Sequence, residues 1–473
     1  MMSFSSDLCV YIVVIFLLVL GIIFHNSANV LNKNNLSKTN DADDSIHSIT
    51  MYRNLFLVGA CVLLLIYFGY KSVVRFGIES HVMEYVNIIF RWAHVVVGIS
   101  WIGASFYFIF LENSLNRTEN LRDELAGNLW AIHGGGFYYV EKYKVAPAQL
   151  PKKLHWFKYE AYFTWLTGFI LLMLVYYMNA NAFMIDPSVR NISPSTAISI
   201  GIGTLVFGWI IYDLLCKTPL LHNKKLFALI GFIIVTAISF FLSKMLSGRA
   251  AFMHIGALIG TIMAGNVFFT VIPAQKAMVK AALEGLPLNP DLGKYAGLRS
   301  LHNNYMTLPV IFIMISNHFP GTFGNQYNWA VLAALTVISV AVRHFINLYE
   351  KGKYAIWIIP FAVVSLLALV LVTAPANHRM TSKNSLPVSF LQVQPIFQKR
   401  CVQCHSTNPT DDIQKIAPNG IMFETPEQIK KMTDRILLRV VQTKTMPQAN
   451  KTGITEDERE LIGRWIEQGG KIN

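Results

Sequence analysis

Cys401-Val402-Gln403-Cys404-His405 is the stretch from which the rest of the chain is read. Two cysteines two residues apart, followed at once by histidine, form the attachment pattern of a c-type haem. On a single helical turn both thiols face one side and can add across the two vinyl groups of a haem. His405 then lies beneath the ring as the proximal iron ligand. A thioether is the usual distal partner, and Met446 comes about forty residues on, in Thr445-Met446-Pro447. The competing assignment, half of a zinc site, needs a second Cys or His pair close by, and none follows. One covalent haem c is therefore expected, held by Cys401 and Cys404, with His405 and Met446 as axial ligands.

The surrounding pattern suits a small all-α cytochrome c domain over 389–473. A helical run over 390–400 leads into the motif, a second covers 422–441, and a third covers 454–468. Thr455 and Glu458 form a capping box at the start of the third. Residues 376–388, from Ala376-Asn377-His378-Arg379 through Leu386-Pro387-Val388, make a short linker.

The remaining sequence is of another kind. The 473-residue chain is 53% hydrophobic and only 14% charged, with mean hydropathy +0.42, although its tail is as polar as a soluble domain. That combination predicts an integral membrane part followed by the soluble tail. Spanning a bilayer takes about 20 apolar residues. Ten runs approach that length: 8–24, 54–70, 86–111, 161–178, 197–216, 226–243, 250–272, 303–318, 328–347 and 354–374. The first has neither a basic leader nor a small-residue cleavage site and is expected to be an anchor. The domains expected are thus an extension over 1–80 with about two spans, a core over 81–375 with eight, the linker and the tail.

Haem attachment takes place outside the cytoplasmic membrane, which puts the tail in the periplasm. With ten spans, the loops 25–53, 112–160, 217–225, 273–302 and 348–353 then face the cytoplasm. They hold about 19 Lys and Arg against about 5 in the outer loops, in accord with the positive-inside rule. The net charge of +13 is therefore mainly a topology signal, and no nucleic-acid partner is expected. No nucleotide-binding loop is present either. Cys9, Cys61 and Cys216 stand singly in or beside apolar runs and imply no disulfide framework.

Ionisable groups inside spans mark functional positions. His94, His254 and His318 fall toward the periplasmic side of this topology, and His302 and His344 toward the cytoplasmic side. Two histidines on facing helices can clamp a b-type haem, for which His94 and His254 are the candidates. Each can equally serve as a hydrogen-bonding or span-end residue. Gly256 and Gly260 suggest that the His254 helix packs tightly at the centre. In the long loop 112–160, His133-Gly134-Gly135-Gly136 resembles an esterase oxyanion motif, but no G-x-S-x-G nucleophile accompanies it, which excludes that hydrolase. The glycines can line a planar ligand or simply make a tight turn.

Several stretches together resemble the bacterial membrane-bound urate oxidases, also called urate hydroxylases. They are Arg91-Trp92-Ala93-His94, Ser100-Trp101-Ile102-Gly103-Ala104-Ser105-Phe106-Tyr107, and His133-Gly134-Gly135-Gly136-Phe137-Tyr138. Leu154-His155-Trp156-Phe157-Lys158-Tyr159-Glu160, Asn266-Val267-Phe268-Phe269, Leu301-His302-Asn303-Asn304-Tyr305 and Ile315-Ser316-Asn317-His318 continue the series. The likeness covers about 84–375 and runs on through the tail; residues 1–80 depart from it. The resemblance implies oxidation of urate with water to 5-hydroxyisourate, with two electrons passed to the haem and on to a soluble cytochrome c or terminal oxidase. It also implies a bacterial inner-membrane location with the tail in the periplasm and lipid around the bundle. A second redox centre, haem b, would ease the two-electron step. A urate site should supply a cation, edge donors and acceptors, and an aromatic face. By type, Arg91, Arg299 and Arg343 are the substrate candidates, with His94 and His344 beside two of them. His133, Glu160, His302 and Asn303 are the catalytic candidates, and Glu112 is an alternative base.

Two other readings stand beside this one. The chain can be an electron-transfer subunit that takes electrons from quinol or relays them to a terminal oxidase. It can also be a scaffold or transporter that merely tethers a cytochrome, although a tether needs only one span.

Overall fold

A computed structural model describes residues 60, 79–147, 149–151, 153–374 and 387–472. The expected spans at 8–24 and 54–70 and nearly all of the linker lie outside the described residues. The rest is mostly helical. The bundle contains α1 (Glu79–Ser114), α2 (Tyr159–Leu172), α3 (Pro194–Cys216), α4 (Lys224–Met245), α5 (Gly248–Asn266), α6 (Ile272–Leu283), α7 (Pro290–Ser316), α8 (Asn328–Tyr349) and α9 (Ile358–Thr373). α5 runs into α6 through the widened turn Val267–Val271.

Among the described residues, six helical stretches are long and apolar enough to cross a membrane: His81–Ser114, Tyr159–Tyr177, Pro194–Cys216, Lys224–Met245, Gly248–Leu283 and Asn328–Tyr349. Two of the eight expected core spans differ from expectation. The run 303–318 is the C-terminal half of α7, a 27-residue helix whose other half carries Asp291, Lys294 and Arg299. Asn289 caps α7 by accepting from the Asp291 amide at 2.9 Å, and Pro290 pre-sets its first turn, so helix starts well before the apolar run. The run 354–374 gives the apolar α9, whose 16 residues are short for a span.

α5 is the centre of the bundle. Small residues let its neighbours close in, and Phe252, His254, Ile255, Leu258, Ile259, Ile262 and Met263 are all buried. At Gly256 a β-carbon would stand 2.6 Å from Ile313 of α7, so this contact demands glycine; Gly260 meets nothing. On the outside, Phe207, Ile233, Val364 and Leu371 are exposed. An apolar surface of this breadth suits lipid.

The expected all-α architecture has one exception. Residues 125–143 form an antiparallel hairpin, β1 (Leu125–His133) with β2 (Gly136–Tyr143). Gly134 and Gly135 make its two-residue turn with φ of 58° and 80°, left-handed at both positions. Glycine meets that demand without strain, so the triple glycine is a tight turn.

The tail contains α10 (Phe390–Arg400), α11 (Pro426–Lys431) and α12 (Glu456–Glu467). The capping box joins Thr455 and Glu458 as expected, with Thr455 N–H donating to Glu458 at 2.8 Å and Glu458 N–H to Thr455 at 3.2 Å. The run 422–441 is not one helix: it breaks at Met432, whose φ/ψ of −111°/10° is not helical. Phe390, Val393, Phe397, Ile436, Val440, Ile462 and Trp465 make the tail core. The tail rests on the end of the bundle that holds Ala180–Phe183 and Pro320–Phe323. At Gly324 a β-carbon would reach Thr445 at 2.7 Å.

Candidate functional site

Three groupings of polar side chains stand out, two in the bundle and one in the tail. In the tail, α10 ends at Arg400 and hands the chain to Cys401, which is buried, and Cys404, which is half-buried; both thiols are free. The His405 amide bonds to the Cys401 carbonyl at 2.9 Å, which winds the motif into one turn. His405 Nδ1 lies 2.9 Å from the Ile421 carbonyl. That bond fixes the ring tautomer and leaves Nε2 for a metal. Burial, aided by the Arg439 charge, holds His405 below the usual histidine value, so the ring is neutral at pH 7. Burial pushes the Cys401 thiol up to about 12, and burial together with Asp411 pushes Cys404 up to about 11. These thiols are thus protonated in the unmodified chain. Met446 packs against the tail core, and Arg459 donates to its carbonyl at 2.7 Å. Among the described residues, no group of three or more His, Cys, Asp and Glu side chains could hold a metal ion. On the protein side, the arrangement fits a c-type haem better than zinc: two free thiols, an oriented neutral imidazole and a loop-borne thioether.

Asp411 braces this loop. Its carboxylate accepts from the Ile413 and Gln414 amides at 2.9 and 2.8 Å and pairs with Lys451 at 2.6 Å. Burial alone would raise its pKa; the Lys451 ammonium and the two amides outweigh it and hold the carboxyl below the usual value. A depressed folded-state pKa contributes stability above the unfolded value, near 4, which is lost as pH falls through the folded one. Asp411→Asn should therefore cost the tail about 2 kcal/mol at pH 7. Calorimetric scans of variant and parent should converge only as pH falls below the usual carboxylate range.

In the bundle, α3, α5 and α7 join at the end away from the tail. Arg299, 1% exposed, pairs with Asp213 at 2.7 Å. It also donates to the Tyr295 hydroxyl at 2.6 Å and to Asn266 Oδ1 at 3.0 Å. Asn266 donates in turn to Asn303 Oδ1 at 2.8 Å and to the Tyr212 hydroxyl at 2.9 Å. Tyr212 reaches His302 Nδ1 at 2.9 Å, and Phe227 stacks on the His302 ring at 4.7 Å. Three sequence candidates, Arg299, His302 and Asn303, thus meet in one network. Its other members, Tyr212, Asp213, Asn266 and Tyr295, are not among the site candidates that the sequence offers. Asp213 within the apolar run of α3 carried a signal, since an acid in a span calls for a partner.

The second bundle grouping lies where α1, α7 and α8 meet. Arg343 is 1% exposed, and its guanidinium carbon stands 4.0 Å from the Phe106 ring centroid. Among the described residues its Nε and Nη2 have no hydrogen-bond partner. Asn347, one turn along α8, donates to Asn304 Oδ1 at 2.9 Å. Asn304 Nδ2 and Asn347 Oδ1 remain unpartnered. Next to them the Tyr305 hydroxyl meets His344 Nδ1 at 2.8 Å.

The other candidates are dispersed. His94 Nδ1 meets Thr167 at 3.0 Å. His254, fully buried, meets the Ala250 carbonyl through Nδ1 at 2.8 Å, while its Nε2 and the hydroxyl of the stacked Tyr177 lack partners. No ring contact joins the two histidines. Arg91 is exposed and donates to Asn87 at 2.5 Å. His133 is exposed at the hairpin turn and His318 at the end of α7. Glu160 opens α2 with Oε2 buried and unpartnered. Glu112 is bound by Arg117 at 2.8 Å and by Lys142.

The family model for the urate oxidase N-terminal domain matches residues 80–374, more than half of the chain. The chain belongs to the urate oxidase N-terminal family. No curated protein matches it, and no solved structure does. The matched region takes in α1 to α9 with the hairpin, and so holds both bundle groupings; the tail with its Cys-x-x-Cys-His stretch lies beyond it.

Proposed function

We propose that this member of the urate oxidase N-terminal family is a membrane-bound oxidoreductase that hydroxylates urate to 5-hydroxyisourate and passes the electrons to a haem c in its own tail. The reaction balances as urate plus water giving 5-hydroxyisourate, two protons and two electrons. The observation that carries the reading is the joining of a urate oxidase family bundle to the Cys401, Cys404, His405 and Met446 arrangement in one chain. When bound, the haem supplies a one-electron acceptor. Cys401 and Cys404 would hold it covalently, Nε2 of His405 would be free to ligate it, and the Ile421 carbonyl keeps that ring in place.

The direction of electron flow is supported by where the tail sits. A cavity of about 1570 Å³ separates tail and bundle, lined by Lys244, Arg249 and Asn317 on one side and Arg439, Lys444 and Met446 on the other. The bundle residues there lie at the ends of α4, α5 and α7 that the proposed topology turns to the periplasm, the side on which haem attachment takes place. A second haem, of b type, held by His254 with His94, is part of the proposal. Its support is confined to His254, whose buried Nε2 lacks a hydrogen-bond partner among the described residues but lies against Gly201 of α3, so a haem there would have to part α5 from α3; a spectrum with no b-type band would remove it. Electrons would leave through the tail to a soluble cytochrome c or terminal oxidase outside the inner membrane.

The source of the added oxygen separates this reaction from an oxygen-consuming oxidase. Purified protein turning over urate with ferricyanide, without dioxygen and in heavy-oxygen water, should place the label in 5-hydroxyisourate. Unlabelled product, or a requirement for dioxygen, refutes the proposal. Met446→Ala should leave the haem attached while its potential falls, because the thioether raises the potential. An unchanged redox titration would remove Met446 as the distal ligand.

A further inference from the structure

The three sequence-candidate arginines do not stand alike. Arg299 is saturated: Asp213 neutralises it, and Tyr295 and Asn266 take its other donors. Arg91 is exposed. Arg343 alone of the three is buried with no ion pair and two donor nitrogens unbonded among the described residues. A buried cation left in this state is costly unless something pairs with it, and within a span it marks a functional position by default. The nearby carboxylate of Glu350, just past the end of α8, acts on Arg343 only through space and accepts from Asn113 at 2.8 Å. We infer that Arg343, Asn304 and Asn347 form the seat of a planar organic anion, and that the anion is urate.

The chemistry fits that class of ligand. The Nε and Nη2 edge of a guanidinium offers two parallel donors to an anionic oxygen and the atom beside it. Asn304 Nδ2 adds a donor and Asn347 Oδ1 an acceptor, so the unpartnered atoms match a ring edge that carries both carbonyls and N–H groups. Phe106, already against Arg343, supplies an aromatic face. All three polar residues are at most 4% exposed, which gives each such bond its full strength. Arg343 lies fifteen positions along α8 from Asn328, a residue lining the cavity against the tail, or about 22 Å at helical rise. One tunnelling step over that span is slow, so this seat calls for a relay inside the bundle.

The identity of the anion rests on the proposed urate reaction, and the test separates the two. Full-length parent and Arg343→Met chains, purified in detergent with haem attached, are compared for binding of labelled urate by equilibrium dialysis and for anaerobic haem reduction by urate. The methionine side chain removes an unpaired buried charge, so the variant should keep its haem content, its thermal midpoint and full reduction by dithionite. Its affinity for urate should fall about 100-fold, with Arg343→Lys intermediate, because lysine keeps the charge but loses the fork. Hypoxanthine, neutral at pH 7, should not distinguish parent from variant. Equal urate affinity in parent and Arg343→Met overturns the seat while leaving the reaction standing. Binding that depends on Arg343 without any haem reduction supports the seat and overturns the reaction. No urate binding by the parent overturns both. Should Arg343→Met fail to accumulate, Asn347→Leu carries the test: about tenfold weaker binding is expected from losing one buried bond, and unchanged binding refutes the seat.

Discussion

Replacing Cys401 and Cys404 together by alanine is expected to give a chain that reaches the membrane with no covalently bound haem and no urate-driven electron transfer. The reason is geometric. The two thiols share one turn closed by the His405 amide, and no other cysteine lies near them in sequence to substitute. Cys401 is also part of the tail core with Phe397 and Ile462, so the tail should lose stability as well. Haem staining after denaturing electrophoresis gives the answer: signal in the parent, none in the double variant. Retained staining would mean that the attachment site has been wrongly assigned. His405→Ala isolates ligation from attachment, since it should keep the stain and change the spectrum.

Asp213→Asn should be the most damaging single change in the bundle. Arg299 would keep Tyr295 and Asn266 but lose the only carboxylate that pairs with it among the described residues, leaving a buried charge uncompensated. Breaking such a pair costs about 3–5 kcal/mol. In detergent this should appear as a lower thermal midpoint and poor yield of folded protein. Adding Arg299→Met to the variant should recover part of the loss, as the double change removes the orphan charge. A single variant as stable as the parent would show that the pair contributes nothing to the fold.

Much of the architecture can be read from the residues, because its causes are local. Apolar runs mark six membrane-length helices, and the Thr455–Glu458 box fixes the last helix to within two residues. The hairpin is less plain, although Gly134-Gly135 is a recognised two-residue hairpin turn. With the stretch taken as a loop, its strands go unseen while its turn is recognised. The start of α7 is hidden for a similar reason: hydropathy sees only 303–318, whereas Asn289 and Pro290 begin the helix thirteen positions earlier.

The site divides along the same line. Cys401, Cys404 and His405 are legible because their chemistry requires short spacing. The Arg299 network is not, since Asp213 and Arg299 are 86 positions apart and only the packing of α3 on α7 joins them. Candidates chosen by residue type, among them Arg91 and His133, prove exposed, while Asn304 and Asn347 become visible only through the atoms they leave unpaired.

The most direct test of the account is a visible spectrum of the purified, oxidised protein before and after adding urate in the absence of oxygen. Reduced c-type haem bands should appear, with a b-type band beside them where His254 and His94 hold a second haem. Full reduction by dithionite with none by urate would contradict the urate reaction and leave an electron-transfer subunit fed by another donor, such as quinol.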